Sequence, residues 1–328
     1  MLNNKTILIT GGTGSLGNAL TKRILSKYKN IKKIIIFSRD EFKQYNMEKS
    51  FPEKRFNCIR YFLGDVRDLS RLEQALKGVD YVIHTAALKQ VPAAEYNPFE
   101  YIKTNVIGAQ NLITACINQR VKKVIALSTD KACSPINLYG ATKLCSDKLF
   151  ISSNNLSGKN GTIFSVVRYG NVFASRGSVI PYFINLNKKN KAITITDKKM
   201  TRFNISLEEG VDAVMWALKN MKGQEILVPK IPSFKIIDLA KAINHKAKLK
   251  FIGVRPGEKI HEELISNSDS QLTIDLGKYY LILPNKNLYK RYKTYNTLRK
   301  DFIYRSDLNQ NFLNLSQLKK LIENFEKK

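Results

Sequence analysis

Short apolar runs recur along the first half of the chain, and a glycine-rich or polar segment follows each run. The runs are residues 6–10, 34–37, 59–63, 81–84, 124–127 and 162–168. Runs of this length bounded by turn residues are typical of buried strands. Apolar residues at helical spacing lie between them, for example Leu16, Leu20 and Ile24. This alternation predicts an α/β fold with a doubly wound parallel sheet and right-handed crossovers.

The pattern becomes less regular after about residue 176. We therefore predict two domains, residues 1–175 and 176–328, with some later segments returning to the first. The second region contains an apolar helix near 211–218, a strand at 225–228 and a final helix with Leu315, Leu318, Ile322 and Phe325 on one face. Such a stripe is ordinary for a helix docked on a core. We expect this smaller α/β region to face a substrate.

The net charge of +28 is extreme, but the lysines are spread over nearly every segment. Residues 289–300 (YKRYKTYNTLRK) are both basic and aromatic, as in single-strand nucleic-acid binders. No groove-reading motif surrounds them, so we expect no nucleic-acid partner. The positive field would still favour an anionic substrate or cofactor.

The four cysteines show neither C-x-x-C spacing nor paired histidines, so we expect no metal site and no disulfide framework. We expect no signal peptide, because a polar segment and a strand follow Met1, and no apolar run in the sequence approaches the ~18 residues that span a membrane. We expect a cytoplasmic protein without a membrane partner.

Glycines follow the first strand at once in the segment GGTGSLG. Gly11, Gly14 and Gly17 are spaced G-x-x-G-x-x-G ahead of a helix. Glycines at such a turn let backbone N–H groups approach a pyrophosphate at the helix N-terminus. This context predicts a Rossmann-type dinucleotide site.

The second strand ends in SRDEFK. A carboxylate at this place binds the ribose hydroxyl of NAD, whereas an arginine suits the 2′-phosphate of NADP. Ser38 and Arg39 come first and Lys43 is near, so we favour NADP; Asp40 keeps NAD open. Farther on, Asp65 either accepts from the adenine amino group or caps the helix starting near Leu69.

Chemistry-bearing residues concentrate in residues 128–143 (STDKACSPINLYGATK). Thr129, Asp130 and Lys131 end the fifth strand, where open α/β sheets place ligands. We expect Asn137 to cap the next helix, with Tyr139 and Lys143 four apart on one face. We expect an adjacent ammonium and a desolvated site to favour the Tyr139 phenolate. Such a pair can take a proton from an alcohol while a hydride leaves the same carbon.

A helix predicted over 98–119 carries Thr104 and Asn105 among apolar residues. They either face the site, or Asn105 bridges backbone groups.

Together these motifs resemble the extended short-chain dehydrogenase/reductase superfamily. Within it the chain resembles the inverting UDP-N-acetylglucosamine 4,6-dehydratases. The motifs that carry the resemblance are ILITGGTGSLG, FSRDE, GDVRD, AALKQVPAAEYNP, KTNVIGAQN, ALSTDKA, NLYGATK, RYGNV, SRGSV, MTRF, RPGEKIHE and the tail segment YRSD. The TDK triplet discriminates, because retaining nucleotide-sugar 4,6-dehydratases carry an acidic residue where this chain has Lys131.

The resemblance implies three groups of site residues. The catalytic residues would be Thr129, Asp130, Lys131 and Tyr139. The NADP-binding residues would be Gly11, Thr13, Gly14, Ser15, Leu16, Gly17, Ser38, Arg39, Asp40, Glu41, Lys43, Asp65, Val66, Ala86, Tyr139, Lys143 and Val172. The sugar-nucleotide side would be lined by Lys89, Thr104, Asn105, Asn171, Thr201, Arg255 and Glu258.

The resemblance also implies a mechanism. Tyr139 takes the C4 hydroxyl proton while the C4 hydride passes to NADP, Lys131 removes the C5 proton, and Asp130 protonates the departing C6 hydroxyl. The hydride returns to C6, and C5 is reprotonated from the opposite face. Lys131 must be neutral to act, so we expect its pKa to be lowered by burial or by cations such as Lys143.

The implied substrate is UDP-N-acetylglucosamine, and the implied assembly is a homo-oligomer, by resemblance a hexamer. The product would enter pseudaminic acid synthesis and the modification of flagellin or a surface polysaccharide. The alternatives are a retaining dehydratase or a 4-epimerase on the same scaffold and, from another class, a non-catalytic NADP-binding sensor.

Overall fold

The computed structural model describes residues 1–158, 161–173, 178–299 and 301–327. Within them the strands, in chain order, are β1 (Thr6–Thr10), β2 (Lys33–Ser38), β3 (Ile59–Leu63), β4 (Tyr81–His84), β5 (Lys123–Thr129), β6 (Ile163–Tyr169), β7 (Asn171–Val172), β8 (Ile193–Ile195), β9 (Thr201–Ile205), β10 (Ile226–Pro229), β11 (Ser233–Lys235), β12 (Leu249–Phe251), β13 (Glu263–Ile265), β14 (Thr273–Asp275), β15 (Tyr279–Ile282) and β16 (Tyr304–Arg305).

The α-helices are α1 (Ser15–Lys27), α2 (Glu41–Ser50), α3 (Leu69–Ala75), α4 (Val91–Tyr96), α5 (Pro98–Tyr101), α6 (Gly108–Asn118), α7 (Leu138–Leu156), α8 (Val179–Lys188), α9 (Leu207–Asn220), α10 (Ile236–Ile243), α11 (Asn267–Ser270) and α12 (Leu315–Glu326). Among the described residues, none of these helices combines the length and apolarity needed to cross a membrane.

The main sheet has the order β14-β15-β10-β6-β5-β4-β1-β2-β3. Strands β1 to β6 and β10 pair in parallel, and β15 and β14 add antiparallel to the edge. The six apolar runs in the first half all form parallel strands, with ends within two residues of the prediction. The predicted α/β fold with a doubly wound sheet is confirmed.

Strand order reverses between β1 and β4, which are neighbours although β2 and β3 intervene in the chain. Connections leave such a switch point in opposite directions, so a crevice opens outside the carboxyl ends of the strands. The residues after β1, β4 and β5 therefore face one cleft.

A smaller lobe closes the cleft. Strands β7, β9 and β11 form one small sheet, and β8 pairs with β12. A separate apolar cluster, containing Phe183, Phe234, Leu239 and Leu318, fills this lobe. The predicted strand near 225–228 forms β10 and joins the main sheet beside β6. The predicted boundary between residues 175 and 176, and part of the SRGSV motif, lie outside the described residues.

The helix predicted over 98–119 is interrupted. Helix α5 ends at Tyr101, a π-helical turn spans Ile102–Ile107, and α6 begins at Gly108. Single π turns inside helices are frequent at functional sites. Thr104 and Asn105 both lie in this turn, so the interruption falls where the sequence places polar residues among apolar ones.

Candidate active site

One cleft of about 1380 Å³ runs along the carboxyl edge of the main sheet and beneath the smaller lobe. Its wall on the sheet side includes Gly11, Thr129 and Tyr139, and its wall on the lobe side includes Arg202 and Arg255. The cleft therefore joins the predicted dinucleotide loop to the predicted sugar-nucleotide residues in one space.

The glycine loop between β1 and α1 is built for backbone contact with a ligand. Gly11 has φ +63°, and a Cβ there would lie 2.8 Å from the backbone nitrogen of Ala86. Gly14 precedes α1 and supplies no side-chain cap, so the first N–H groups of this 13-residue helix keep their donors for an incoming group. This cradle fits the pyrophosphate of a dinucleotide.

Two cations stand at the end of β2. Lys43 pairs with Asp40 at 2.8 Å, and Arg39 lies 3.7 Å from Asp65. The Asp40 carboxylate also accepts from the Lys43 N–H and caps α2. Asp40, the carboxylate that could bind the ribose hydroxyl of NAD, is thus already paired with Lys43. Arg39 is half-exposed and lines the cleft.

Asp65 is held by Arg67, with a side-chain contact of 2.8 Å. Burial alone would raise the pKa of Asp65, but the hydrogen bonds and charge of Arg67, assisted by Arg39, lower it. The cap of α3 is Asp68. Asp65 lines the cleft and does not cap α3, so the alternative prediction that Asp65 is the helix cap is wrong.

The end of β5 carries the densest chemistry. A 3₁₀ turn, Asp130–Ala132, follows Thr129. The Thr129 hydroxyl donates to Asp130 Oδ1 at 2.8 Å, and the Lys131 ammonium donates to the same oxygen at 3.2 Å. Asp130 is only 1% exposed, and its second oxygen, Oδ2, is buried without a hydrogen-bond partner among the described residues. Asp130 lines the cleft, and a buried carboxylate at such a wall is suited to proton transfer.

The charge state of Lys131 differs from the expectation. Burial alone would lower the pKa of Lys131, but the carboxylates of Asp130 and Glu262, each 3.2 Å away, outweigh burial and raise it. The predicted lowering of the Lys131 pKa is wrong for this state, and the cation that acts toward a lower pKa is Arg202. Lys131 is an ammonium here.

The pKa of Asp130 is also raised, which for a carboxyl group favours the neutral form. Burial raises the pKa of Asp130, the nearby Glu262 charge raises it further, and the Lys131 ammonium opposes both. A carboxyl group with a raised pKa is more readily protonated and can act as an acid.

Asn137 caps α7 as predicted, its side chain accepting from Gly140 N at 2.8 Å. Tyr139 and Lys143 lie on the first two turns of α7, and both face the cleft. Burial raises the pKa of Tyr139 to about 12, against the Lys131 ammonium and a hydrogen bond with Thr129. The expectation that desolvation favours the phenolate is therefore wrong. Burial lowers the pKa of Lys143, opposed by Asp147.

All but four of the site residues predicted from the sequence line the cleft. On the cofactor side, Gly17 and Glu41 do not line the cleft. Gly17 packs against the backbone of Gly12, where a Cβ would lie 2.2 Å from the Gly12 oxygen. Glu41 opens α2 and lies at the surface.

On the substrate side, Asn105 and Thr201 do not line the cleft. The Asn105 amide donates to Leu88 O and accepts from Leu88 N, both at 2.9 Å, so it bridges backbone groups as the sequence alternative proposed. The Thr201 hydroxyl bonds Ser306 Oγ at 2.7 Å and His261 Nδ1 at 2.8 Å. Both side chains support the walls rather than contact the space between them. Lys89, Thr104, Asn171, Arg255 and Glu258 line the cleft as predicted.

Sequence reasoning missed Glu262. This carboxylate is 2% exposed, lines the cleft and contacts Lys131. Glu262 ends the RPGEKIHE motif, but acidic residues in such a mixed segment are typical of a solvated surface, and no local pattern places this one beside Lys131.

The model of the polysaccharide biosynthesis protein family matches residues 7–284. The chain is 52% identical to a UDP-N-acetylglucosamine 4,6-dehydratase (inverting) from Campylobacter jejuni subsp. jejuni serotype O:23/36 (strain 81-176), over 99% of both chains. It is 49% identical to a UDP-glucose 4-epimerase from Rickettsia bellii (strain RML369-C), over 86% of this chain and 84% of that one.

Among solved structures, Pen from Bacillus thuringiensis superposes with a TM-score of 0.91 at 38% identity, covering 99% of each chain. The fold class and the resemblance drawn from the motifs are confirmed.

Proposed function

This chain belongs to the polysaccharide biosynthesis protein family, and we propose that it is a nucleotide-sugar 4,6-dehydratase. The proposed substrate is UDP-N-acetylglucosamine, and the product, with C5 inverted, is UDP-2-acetamido-2,6-dideoxy-β-L-arabino-hex-4-ulose. The observation that carries the proposal is that Asp130, Lys131 and Tyr139 lie on one wall of the cleft, with the Asp130 carboxylate 3.2 Å from the Lys131 ammonium. The inverting dehydratase relative, 52% identical over nearly the full chain, supports the same choice.

The proposed cofactor is NADP. The glycine cradle at Gly11 and Gly14 fits a pyrophosphate, and Arg39 and Lys43 supply cations at the ribose position. Planar or compact cations at this place favour a 2′-phosphate over a free hydroxyl. When bound, a nicotinamide dinucleotide supplies a reversible hydride acceptor for C4 and donor for C6.

Tyr139 takes the proton of the C4 hydroxyl. Because burial holds its phenol protonated in the unliganded protein, the pKa of Tyr139 must fall when the ligands bind. Lys131 and the Thr129 hydroxyl already act in that direction. The resulting 4-keto group makes the C5 hydrogen acidic.

Asp130 and Lys131 then act as the acid and the base of the elimination. The Lys131 ammonium first gives one proton to the Asp130 carboxylate across their 3.2 Å contact. Neutral Lys131 removes the C5 proton, and Asp130 delivers its proton to the leaving C6 hydroxyl, so water departs. Both groups return to their starting ionisation. C5 then takes up a proton from the opposite face, which balances the proton that Tyr139 received.

The second candidate is a 4-epimerase, since a UDP-glucose 4-epimerase is 49% identical to this chain. An epimerase also uses a tyrosine base, but it has no elimination step and no need for a buried acid beside a lysine base. A retaining dehydratase also eliminates water, but it carries an acidic residue where this chain has Lys131 and delivers the C5 proton to the original face.

Proton NMR of the product from UDP-N-acetylglucosamine separates these functions. A new C6 methyl signal supports dehydration, and its absence with a changed C4 coupling supports epimerisation. The C5 coupling constants then distinguish inversion from retention. Salt-sensitive DNA binding without turnover would favour the non-catalytic sensor.

We also propose that the product enters pseudaminic acid or related surface-sugar synthesis, flagellin modification included. We propose that the chain works as a cytoplasmic homo-oligomer, by resemblance a hexamer. The motif resemblance supports the pathway and the homo-oligomer.

A further inference from the structure

Glu262 is a buried carboxylate that the proposed reaction does not use. It lies in the segment between Arg255 and β13, and one of its oxygens, Oε1, contacts two cations. The Lys131 ammonium is 3.2 Å from Oε1, and Arg202 Nε is 3.7 Å from it. The other oxygen, Oε2, is buried and has no hydrogen-bond partner among the described residues. The side chain is therefore placed in the catalytic wall of the cleft.

The backbone of Glu262 is clamped by the tail of the chain. Glu262 N donates to Ser306 Oγ at 2.9 Å, and Ser306 N donates to the Glu262 carbonyl at 2.8 Å. Strands β13 and β16 pair immediately beside this clamp. Ser306 is fully buried and also bonds Thr201. The YRSD segment thus fixes the residue that contacts Lys131, although it lies far from Lys131 in sequence.

Asp130 and Glu262 share Lys131 unequally. Each has an oxygen 3.2 Å from the ammonium, but Glu262 also has Arg202 beside it. If Lys131 loses its proton, Glu262 keeps a cationic partner and Asp130 loses its own. A proton leaving Lys131 is therefore better accommodated on Asp130 than on Glu262.

We propose that Glu262 is a positioning residue that holds Lys131 against Asp130 and, by remaining ionised, directs the shared proton to Asp130. The proposal rests on the proposed dehydratase function and goes beyond it by giving the second buried carboxylate a role, which is to make Asp130 the acid. Pairs of titratable groups whose environments separate their pKa values define acid and base roles.

The charges around these groups agree with this assignment. Burial alone would raise the pKa of Glu262, but its cationic neighbours lower it, whereas burial and Glu262 together raise the pKa of Asp130. The groups that face Lys131 are Asp130, Glu262, Arg202, Tyr139 and Lys89; those that face Glu262 are Lys131, Arg202, Lys259 and Asp130.

The test is the pH dependence of kcat for UDP-N-acetylglucosamine dehydration in Glu262→Gln. Glutamine keeps the shape and removes the charge, so Lys131 and Asp130 both lose a negative neighbour. We expect both limbs of the pH–rate profile to move to lower pH by about one to three units. We expect kcat at the optimum to fall more than KM rises, since Lys131 loses one of its two anchors.

Two further variants separate charge from structure. Glu262→Asp keeps the charge, so its limbs should stay near those of the wild type while kcat falls. Ser306→Ala keeps the charge but loosens its hold, and should move the limbs in the direction of Glu262→Gln by less. Glu263→Gln is the matched control, because Glu263 is the adjacent carboxylate and does not line the cleft; its profile should be that of the wild type.

Wild-type limbs in Glu262→Gln would overturn the proposal, as would an equal loss of kcat at every pH in the Gln and Asp variants. A limb shift in Glu263→Gln would also overturn it. If Glu262→Gln is not recovered folded, wild-type limbs in Ser306→Ala overturn it. Failure of the wild type to form a C6-methyl product overturns the proposed function and this proposal together, whereas wild-type turnover with unshifted variants overturns this proposal alone.

Discussion

The carboxylate of Asp130 and the ammonium of Lys131 lie 3.2 Å apart although the two residues are adjacent in the chain. Adjacent residues of a strand point to opposite faces of the sheet. Here β5 ends at Thr129 and a 3₁₀ turn begins at Asp130, so both side chains turn into the cleft. A proton donor and a proton acceptor thereby meet at one strand end.

Replacing Asp130 by asparagine should remove the acid and keep the base. Asparagine cannot deliver a proton to the C6 hydroxyl, so we expect dehydration to slow roughly 10²–10⁴-fold. The pKa of Lys131 should fall when the neighbouring anion is lost, so exchange of the C5 hydrogen with solvent should continue. Single-turnover absorbance of the reduced nicotinamide and mass spectrometry of sugars formed in D₂O measure the two steps. Wild-type methyl formation by Asp130→Asn would contradict the acid role.

Cofactor preference should depend on Arg39 and Lys43. We expect Arg39→Ala combined with Lys43→Ala to weaken NADPH binding about 10²- to 10⁴-fold, because two charged hydrogen bonds are lost and each contributes about 1.5–3 kcal/mol. NADH binding should change much less. Lys49→Ala is the control, since Lys49 is a cation in the last turn of the same helix and does not line the cleft. Fluorescence titration with both nucleotides measures this, and equal losses for both would contradict the assignment.

His84 should make the fold less stable in acid. Burial, assisted by the Lys143 charge, lowers the pKa of His84 to about 3, from an unperturbed 6.5. Above pH ~6.5 His84 is neutral in both the folded and the unfolded chain, so its titration does not lower the free energy of unfolding. Between about pH 6.5 and 3 the unfolded chain binds a proton that the folded chain does not, so stability falls by up to ~1.4 kcal/mol per pH unit.

The measurement is urea unfolding of the wild type and His84→Gln over this pH range. Glutamine does not titrate, so the free energy of unfolding of the variant should depend less steeply on pH. Its absolute stability is expected to drop because the contact between His84 Nδ1 and Thr10 Oγ1, at 2.8 Å, changes. Parallel pH dependences for both proteins would count against a neutral buried His84.

Gly17 should not tolerate a side chain. A Cβ at Gly17 would meet the backbone of Gly12, which cannot move without opening the loop, and we expect Gly17→Ala to cost about 1–3 kcal/mol of folding free energy. Gly210 lies in α9, and the nearest side chain to its Cβ position in the described part of the chain is Leu16, at 3.8 Å. Gly210→Ala should stabilise the protein by about 0.5–1 kcal/mol. Urea midpoints compare the two, and equal effects would contradict the packing argument.

The sheet and the cofactor loop could be predicted because their signals are local. Short apolar runs, the glycine spacing after β1 and the Asn137 cap all act within a few residues. The resemblance based on motifs also placed Lys89, Asn171 and Arg255 in one site, although they are distant in sequence, and all three line the cleft.

What failed depends on neighbours that are remote in sequence. Asn105 and Thr201 were predicted to line the cleft, but in the structure their polar atoms are hydrogen-bonded to Leu88 and Ser306. The pKa of Lys131 is raised by Asp130, its neighbour in the chain, and also by Glu262, which is remote in sequence and is held there by its backbone bonds with Ser306. The pKa of Tyr139 rises because the fold buries it, which a spacing of four residues on a helix does not reveal.

The most direct measurement of the central claim follows C5 in D₂O with Lys131→Met, which keeps the length of the side chain and removes the base. The wild type should form a C6 methyl group and carry deuterium at C5 of the inverted product. In Lys131→Met, oxidation at C4 should still reduce the cofactor, with no deuterium at C5 and no methyl signal by NMR. Wild-type rates of deuterium incorporation and methyl formation in this variant would contradict the assignment of Lys131 as the base.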